Sequence, residues 1–283
     1  MWESDPVNLS STPEATPVFF LAGGTGISAE TLGNTILQQF PSVHFVRQKI
    51  PFVTTVEQAR KVVATLDAAK TDSVTPLVFS TVAVEDVRAE LAKTKCAMID
   101  LFGSHLSMVE RILHVNAARL AGSAHGVGDP GEYDARMKAI EFAMEHDDGQ
   151  SLRAIDRADL ILTAPSRCGK TPTTMYLALQ HGLLVANYPL VEEDFDTNQL
   201  PAPIRAHGDR CFGILSTPAR LSQVRNERRP GTRYASLAQC QYELRRAEAL
   251  FHAHRIPSIN SASMSVEEMA AVIIQTRKLK TAH

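Results

Sequence analysis

The residues best suited to chemistry form one short run, Ala164-Pro165-Ser166-Arg167-Cys168-Gly169-Lys170-Thr171. An apolar run at 160–162 precedes it, and a helix-like run at 175–179 follows it. Strand, Gly-Lys-Thr turn and helix in this order are the context of a phosphate-binding loop (P-loop), in which backbone N–H groups at a helix N-terminus face an anion. Lys170 would place a mobile positive charge on the outer phosphates, and the Thr171 hydroxyl would ligate Mg²⁺.

This run departs from the G-x-x-x-x-G-K-[ST] pattern at one position, because Ala164 stands where the first glycine is expected. Pro172 suits the first turn of the following helix, where its missing N–H costs nothing. Gly182 is predicted to end that helix, and 183–186 to form the next buried strand. We interpret Cys168 as a space-filling residue, with redox sensitivity as the alternative.

The whole chain has the size and composition of a globular protein. Its 283 residues suffice for one large or two ordinary α/β domains, and 44% are hydrophobic and 21% charged. The net charge of −2 gives no sign of nucleic-acid binding, and no apolar run approaches the ~18 residues of a membrane span. The N-terminus lacks a signal-peptide pattern, and the four cysteines are widely spaced. We therefore expect reduced thiols and a cytoplasmic protein with neither nucleic-acid nor membrane partners.

Strands alternate with helices through the N-terminal part of the chain. Residues 1–16 are interpreted as a flexible tail. Strands are predicted at 18–22, 43–46, 77–79 and 97–101, and helices at 28–40, 56–69, 84–93 and 106–115. This alternation predicts a Rossmann-like α/β domain with a parallel sheet over 17–120. The glycine-rich turn 23–26 would either cradle a phosphate or simply form a tight turn, and both interpretations stay open.

A turn-rich segment, 121–132, is interpreted as the linker to a second α/β domain over 133–283. That domain opens with an amphipathic helix whose apolar stripe is Tyr133, Met137, Ile140 and Met144. The helix leads into the run His146-Asp147-Asp148-Gly149. Acidic residues at a helix C-terminus oppose its dipole, and this local cost suggests a catalytic base or a Mg²⁺ contact. A solvated helix end is the alternative.

The segment 205–255 is unusually rich in arginine, with ten arginines, no lysine and four acidic residues. The planar guanidinium suits bidentate recognition of phosphate or carboxylate. Arg225, Arg228 and Arg229 follow i, i+3, i+4 spacing, so they are predicted to share one helix face and to contact a phosphate. A solvated helix face is the alternative for other arginines of this segment.

Four runs occur together in the order found in one known family. They are His146-Asp147-Asp148-Gly149, Ser166-Arg167-Cys168-Gly169-Lys170-Thr171-Pro172-Thr173, Arg233-Tyr234-Ala235-Ser236 and Ser265-Val266-Glu267-Glu268. In these runs the chain resembles the bacterial phosphoenolpyruvate synthase regulatory proteins, relatives of the plant pyruvate,phosphate dikinase regulatory protein. The resemblance spans residues 18–275. It implies a Rossmann-like N-terminal domain followed by a P-loop domain similar to nucleotide kinases.

The resemblance also implies a bifunctional enzyme. Family members use ADP to phosphorylate a threonine near the catalytic histidine of their target, which inactivates the target. They remove the same phosphate by phosphorolysis with inorganic phosphate, which releases pyrophosphate. The His-Asp-Asp-Gly run favours phosphoenolpyruvate synthase as the target, with pyruvate,phosphate dikinase as the alternative. Two positions depart from the family pattern, Ala164 in place of glycine and Gly23 where many members have aspartate, so the role of the turn 23–26 stays open.

The chemistry of phosphoryl transfer suggests roles for the loop, the arginines and the acidic run. Negative charge on the transferred phosphoryl group has to be stabilised by hydrogen-bond donors and cations that are already in position. The predicted cradle for ADP and inorganic phosphate consists of Ala164, Pro165, Ser166, Arg167, Cys168, Gly169, Lys170, Thr171, Arg225, Arg228 and Arg229. Lys170 and Arg167 would stabilise the transferred group, and Thr171 would hold Mg²⁺. Asp147 or Asp148 would orient or deprotonate the threonine hydroxyl, or bind the metal.

Two other functions stay open, a small-molecule P-loop kinase and a nucleotide-sensing module without chemistry. The kinase would need an acceptor pocket of its own. The guanine motif Asn-Lys-x-Asp is absent, and no clean run of four apolar residues ends in aspartate, so GTPases and ordinary NTPases are weaker matches. The oligomeric state is not fixed by the sequence, and a homodimer stays open.

Overall fold

The computed structural model describes residues 15–119, 130–196 and 199–280. The chain divides into two compact units, 1–126 and 127–283. Each unit has a four-stranded sheet whose paired strands are all parallel, which confirms the predicted α/β class. Residues 1–14 of the predicted tail and 121–129 of the predicted linker lie outside the described residues. Among the helices of the described ranges, none combines the length and the hydrophobicity that a membrane-spanning segment needs.

The N-terminal unit alternates strands and helices in the predicted order. Its elements are β1 Thr16–Leu21, α1 Ile27–Leu37, β2 Phe45–Ile50, α2 Val56–Ala68, β3 Leu77–Ser80, α3 Glu85–Leu91, β4 Ala97–Asp100 and α4 Gly103–Leu113. The strand order is β2-β1-β3-β4. Alternate residues of β1 pack into two hydrophobic clusters, so both faces of the sheet are covered. The second strand begins two residues later than predicted and continues to Ile50, because Phe45 pairs with Thr16 and Ile50 with Leu21.

The C-terminal unit also alternates strands and helices around a parallel sheet. Its helices and strands are α5 Pro130–Glu145, β5 Leu160–Pro165, α6 Lys170–His181, β6 Val185–Leu190, α7 Ala202–Arg205, β7 Cys211–Leu215, α8 Pro218–Arg228, α9 Leu237–Ala253, β8 Ser258–Asn260 and α10 Val266–Arg277. The strand order is β6-β5-β7-β8. All six residues of β5 are buried. Leu160, Leu162 and Ala164 pack into one hydrophobic cluster and Ile161 into a second, so both faces of the strand are covered. Gly182 ends α6 with φ 64°, as predicted.

Helix α5 buries a different face from its predicted apolar stripe. Tyr133 and Met144 of that stripe are 53% and 65% exposed. The buried residues include Ala139 and Ala143, which cluster with Ala178 of α6. Small side chains let α5 and α6 approach closely. The face of α5 that is buried is therefore the one that fits α6, and not the one with the largest apolar side chains.

Candidate active site

The loop between β5 and α6 has the strand–turn–helix geometry that its sequence predicts. β5 ends at Pro165, and α6 begins at Lys170. Arg167 and Gly169 have positive φ angles of 73° and 103°, whereas Cys168 between them does not. Such alternation turns successive backbone N–H groups toward one side, which is the arrangement of an anion-binding nest. No side chain caps the N-terminus of α6, so its first N–H groups are available to an anion.

Lys170 is buried at this loop, with 4% of its surface exposed. Its Nζ donates hydrogen bonds to the carbonyl oxygens of Ala164 at 3.3 Å and Pro165 at 3.5 Å. It also lies 3.8 Å from Oδ1 of Asp148. Burial lowers the pKa of the Lys170 ammonium, and the Asp148 carboxylate opposes this shift. The loop therefore holds a cation whose hydrogen-bond partners are neutral carbonyl oxygens.

The acidic turn after α5 lies beside the loop. Thr171 Oγ1 donates a hydrogen bond to Asp147 Oδ1 at 2.8 Å, and Asn187 Nδ2 donates to the same oxygen. The Asp148 N–H donates to Asn187 Oδ1 at 2.8 Å. Asp148 has a positive φ of 48°, a strained conformation for a non-glycine residue. The structure thus brings Asp147 and Asp148 together with Lys170 and Thr171.

Two buried residues, Asn187 and His146, hold this acidic turn in place. Asn187 on β6 is 1% exposed, and it also donates its backbone N–H to the carbonyl of His146. The His146 ring lies between the carbonyl oxygens of Phe142, 2.8 Å from Nδ1, and Arg153, 2.5 Å from Nε2. Asn187 lies outside the sequence motifs considered above, although an amide in an otherwise apolar strand next to β5 is a signal of a buried polar contact.

The oxygen atoms of Asp147 and Thr171 suit a shared Mg²⁺ ion. Mg²⁺ is usually bound by one or two protein oxygens together with substrate phosphates and water. In the part of the chain that the structure describes, no three His, Cys, Asp or Glu side chains group to hold a metal. The residues therefore fit a Mg²⁺ that arrives with phosphates better than a metal held by protein ligands alone.

Arg225 lies behind the loop and braces it. It is fully buried, and its five N–H donors bond to the carbonyl of Ser166 twice, the carbonyl of Tyr234, Cys240 Sγ and Glu243 Oε2. The guanidinium also stacks 4.2 Å from the ring of Tyr234, whose hydroxyl lies 3.0 Å from Ser166 Oγ. This arrangement leaves no donor of Arg225 for a phosphate, contrary to the sequence-based expectation.

The other predicted loop and arginine residues lie in different environments. Arg167 is exposed in the loop, and Arg228 and Arg229 are exposed at the end of α8. The predicted shared helix face of Arg225, Arg228 and Arg229 is not present. Arg225 points into the core, and Arg229 has already left the helical conformation. Phosphate contacts by Arg167, Arg228 and Arg229 stay predictions. Burial raises the pKa of Cys168 to about 12, which fits the space-filling interpretation.

A parallel-sheet α/β fold with a lysine at a helix N-terminus and carboxylates beside it defines a candidate phosphotransferase. The family model described as Kinase/pyrophosphorylase matches residues 18–274. The chain therefore belongs to the Kinase/pyrophosphorylase family, and this membership suggests phosphotransferase activity.

Individual relatives agree with this assignment. The chain is 44% identical over 257 residues to a protein of Pseudomonas fluorescens (strain Pf0-1), provisionally described as a phosphoenolpyruvate synthase regulatory protein. The match covers 90% of this chain and 94% of the relative. Proteins of Pseudomonas aeruginosa (strain LESB58) and Pseudomonas putida (strain GB-1) have the same description, identity and coverage. The family resemblance predicted from the four sequence runs is confirmed.

Proposed function

We propose that this protein regulates phosphoenolpyruvate synthase by moving one phosphoryl group in two directions. With ADP it phosphorylates a threonine of the target, and with inorganic phosphate it removes that phosphate as pyrophosphate. The observation that carries the proposal is the meeting of Lys170, Thr171 and the two carboxylates Asp147 and Asp148 at one loop. The descriptions of the relatives support the choice of target.

The two carboxylates have different surroundings, which suggests different roles. Asp147 already accepts hydrogen bonds from Thr171 and Asn187, so it is better placed to hold Mg²⁺ with Thr171. The Asp148 side chain is 58% exposed, so an incoming threonine hydroxyl can reach it. Asp148 would accept the hydroxyl proton during phosphorylation and return it to the threonine oxygen during phosphorolysis.

Lys170 and the loop would stabilise the transferred phosphoryl group. Charge accumulates on its oxygens in the transition state, and the Lys170 ammonium with the N–H groups of Gly169 and Lys170 supplies fixed donors. Bound Mg²⁺ would neutralise part of the phosphate charge. One site can serve both directions, because the same phosphoryl group moves between oxygen atoms in each.

The test is an assay with phosphoenolpyruvate synthase and each of ADP and ATP, with and without inorganic phosphate. We expect ADP, labelled in its β-phosphate, to label a target threonine and leave AMP. Inorganic phosphate should then release the label as pyrophosphate. Activity with ATP alone, or transfer to a free metabolite, would contradict the proposal. Parallel reactions with pyruvate,phosphate dikinase decide between the two protein targets.

A further inference from the structure

A cleft of about 180 Å³ lies against the β5–α6 loop. Val224 and Val266 are among its apolar lining residues, and Arg167, Ser216, Arg220 and Ser261 are among its polar ones. Pockets that enclose whole drug-sized ligands measure roughly 300–1,000 Å³. The cleft therefore suits one part of a ligand whose remainder lies on the loop.

The cleft and the acidic turn lie on opposite sides of β5. Ser216 follows β7 and Ser261 follows β8, whereas the acidic turn is held by Asn187 on β6. The strand order β6-β5-β7-β8 places these features on either side of the central loop. A diphosphate on the loop with its reacting end near Asp148 would thus direct its other end toward the cleft.

We propose that this cleft holds the nucleoside part of ADP and AMP and is not used by inorganic phosphate or pyrophosphate. A flat purine suits apolar walls with a few polar groups, and an arginine guanidinium can stack on an aromatic ring. The exposed Arg167 belongs to both the cleft and the loop, so it can contact base and phosphate together. The inference rests on the proposed function.

The bond changes show why the cleft distinguishes the two reactions. In phosphorylation, the bond between the β-phosphorus of ADP and the bridging oxygen breaks, a bond to the threonine oxygen forms, and the hydroxyl proton passes to Asp148. In phosphorolysis, an oxygen of inorganic phosphate forms the new bond, the phosphorus–threonine bond breaks, and the threonine oxygen regains a proton. AMP and inorganic phosphate thus occupy the same position on the loop and differ only by the adenosyl group.

Narrowing the cleft should therefore separate the two activities. In Ser216→Phe and Val266→Phe, which enlarge a polar and an apolar lining residue of the cleft, we expect the KM for ADP to rise at least about tenfold, equivalent to about 1.4 kcal/mol of lost binding. Phosphorolysis should change less than about twofold, because inorganic phosphate does not reach the cleft. AMP should inhibit wild-type phosphorolysis in competition with inorganic phosphate, and this inhibition should weaken in the variants. Ser263→Phe is the matched control, because Ser263 is exposed on the turn after β8 and does not line the cleft.

Two results with the Ser216→Phe and Val266→Phe variants would contradict a nucleoside site in the cleft. Unchanged ADP use in both variants overturns it, and so does a parallel loss of both activities in variants with wild-type melting temperatures. Calorimetry with ADP and with pyrophosphate separates the inference from the proposed function. If the wild-type protein transfers no phosphate, selective weakening of ADP binding in the variants still supports the cleft as a nucleoside site. Equal weakening of pyrophosphate, or none for ADP, overturns it.

Discussion

The two sheets of this chain have the same strand order, β2-β1-β3-β4 in the N-terminal unit and β6-β5-β7-β8 in the C-terminal unit. In each, the strand in second position leads through a glycine-containing turn into a helix. A glycine with positive φ precedes that helix in both units, Gly26 at 82° and Gly169 at 103°. The backbone frame of the candidate site is therefore present twice.

The side chains at the two turns differ. Gly26 is followed by the half-exposed Ile27, and the nearby Lys49 pairs with Glu30 at 2.7 Å, with about 40% of each side chain exposed. Gly169 is followed by the buried Lys170. The charge of the exposed Lys49 is screened by water and already paired with Glu30. The charge of the buried Lys170 interacts more strongly with a nearby anion, because the surrounding dielectric constant is lower. The shared topology thus places a turn of the same kind in both units. Whether a turn can stabilise a phosphoryl group depends on its side chains, above all on the buried lysine.

Removing the lysine at each turn should give the largest difference in activity between the two units. We expect Lys170→Ala to lose both reactions by about 1,000-fold or more, because a cation on the transferring phosphoryl group is worth that much in related sites. Lys49→Ala should change neither reaction by more than about twofold, since exposed ion pairs contribute about 0–1 kcal/mol. Steady-state assays in both directions measure this.

The folding of Lys170→Ala can be checked separately. Because the pKa of Lys170 is lowered in the folded state, its charge is disfavoured there at neutral pH. Removing Lys170 relieves this desolvation cost, which offsets part of the packing that the buried side chain contributes, so we expect the melting temperature of the variant to stay close to that of the wild type. Retained phosphorolysis in this variant would show that the two reactions use separate sites.

Each unit also contains an arginine–carboxylate pair with an N–O distance of 2.6 Å, and the two pairs differ in burial. Arg225 and Glu243 are 0% and 11% exposed, whereas Arg88 and Asp100 are 21% and 33% exposed. Arg225→Ala should cost about 3 kcal/mol or more in the free energy of unfolding, because it leaves a buried carboxylate unpaired. Arg88→Ala should cost about 1 kcal/mol, since water can replace its contacts. Urea unfolding followed by circular dichroism measures both, and equal losses would contradict the difference in burial.

Alanine substitution of Gly26 and of Gly169 should have a smaller effect, and the two positions are closely matched in backbone conformation. Alanine at either position adopts a left-handed conformation at a cost of about 1–2 kcal/mol. At Gly26 an added Cβ would lie 3.0 Å from the flexible Lys49 side chain and 3.9 Å from Ala22 Cβ, and at Gly169 it would lie 3.6 Å from the Met269 methyl group. We therefore expect similar falls in stability for Gly26→Ala and Gly169→Ala, with lower activity only in Gly169→Ala. Lost activity in Gly26→Ala at unchanged folding would instead assign a function to the N-terminal turn.

The smallest expected effect concerns Cys168 of the loop. Its pKa is raised to about 12 by burial, so it stays a protonated thiol until the pH approaches that value. Iodoacetamide at pH 8 should neither modify Cys168 in the folded protein nor reduce activity. Mass spectrometry of native and urea-unfolded samples checks this. Rapid native modification with loss of activity would favour the redox-sensitive interpretation.

The sequence predicts best what depends on neighbouring residues. The loop, its strand and helix, and the end of α6 at Gly182 all follow from local turn chemistry, and the structure has them. The position of the acidic run at a helix C-terminus, where it opposes the helix dipole, suggests a functional role, and the run lies beside the loop in the structure.

Contacts that depend on distant partners were not predictable in this way. The i, i+3, i+4 spacing groups three arginines, but it cannot show that Glu243 and the Ser166 carbonyl draw Arg225 inward. Asn187 stands out as an amide in an apolar strand, but its partner is a turn 39 residues earlier in the chain, and the strand's own sequence does not identify that partner. The buried face of α5 depends on the shape of α6. Each case is set by tertiary packing and not by periodicity.

The hydrogen bonds from Lys170 to the Ala164 and Pro165 carbonyls have a consequence for ligand selection. The Lys170 ammonium has three N–H donors. Two of them are already bonded to these carbonyls, so an anion that takes more than one donor competes with the internal acceptors. A neutral carbonyl competes weakly with a dianion but more effectively with chloride or acetate, because the strength of a charge-assisted hydrogen bond grows with the charge of the acceptor. The two carbonyl oxygens therefore act as internal competitors for the Lys170 ammonium. This competition favours phosphate esters over the singly charged anions of the cell.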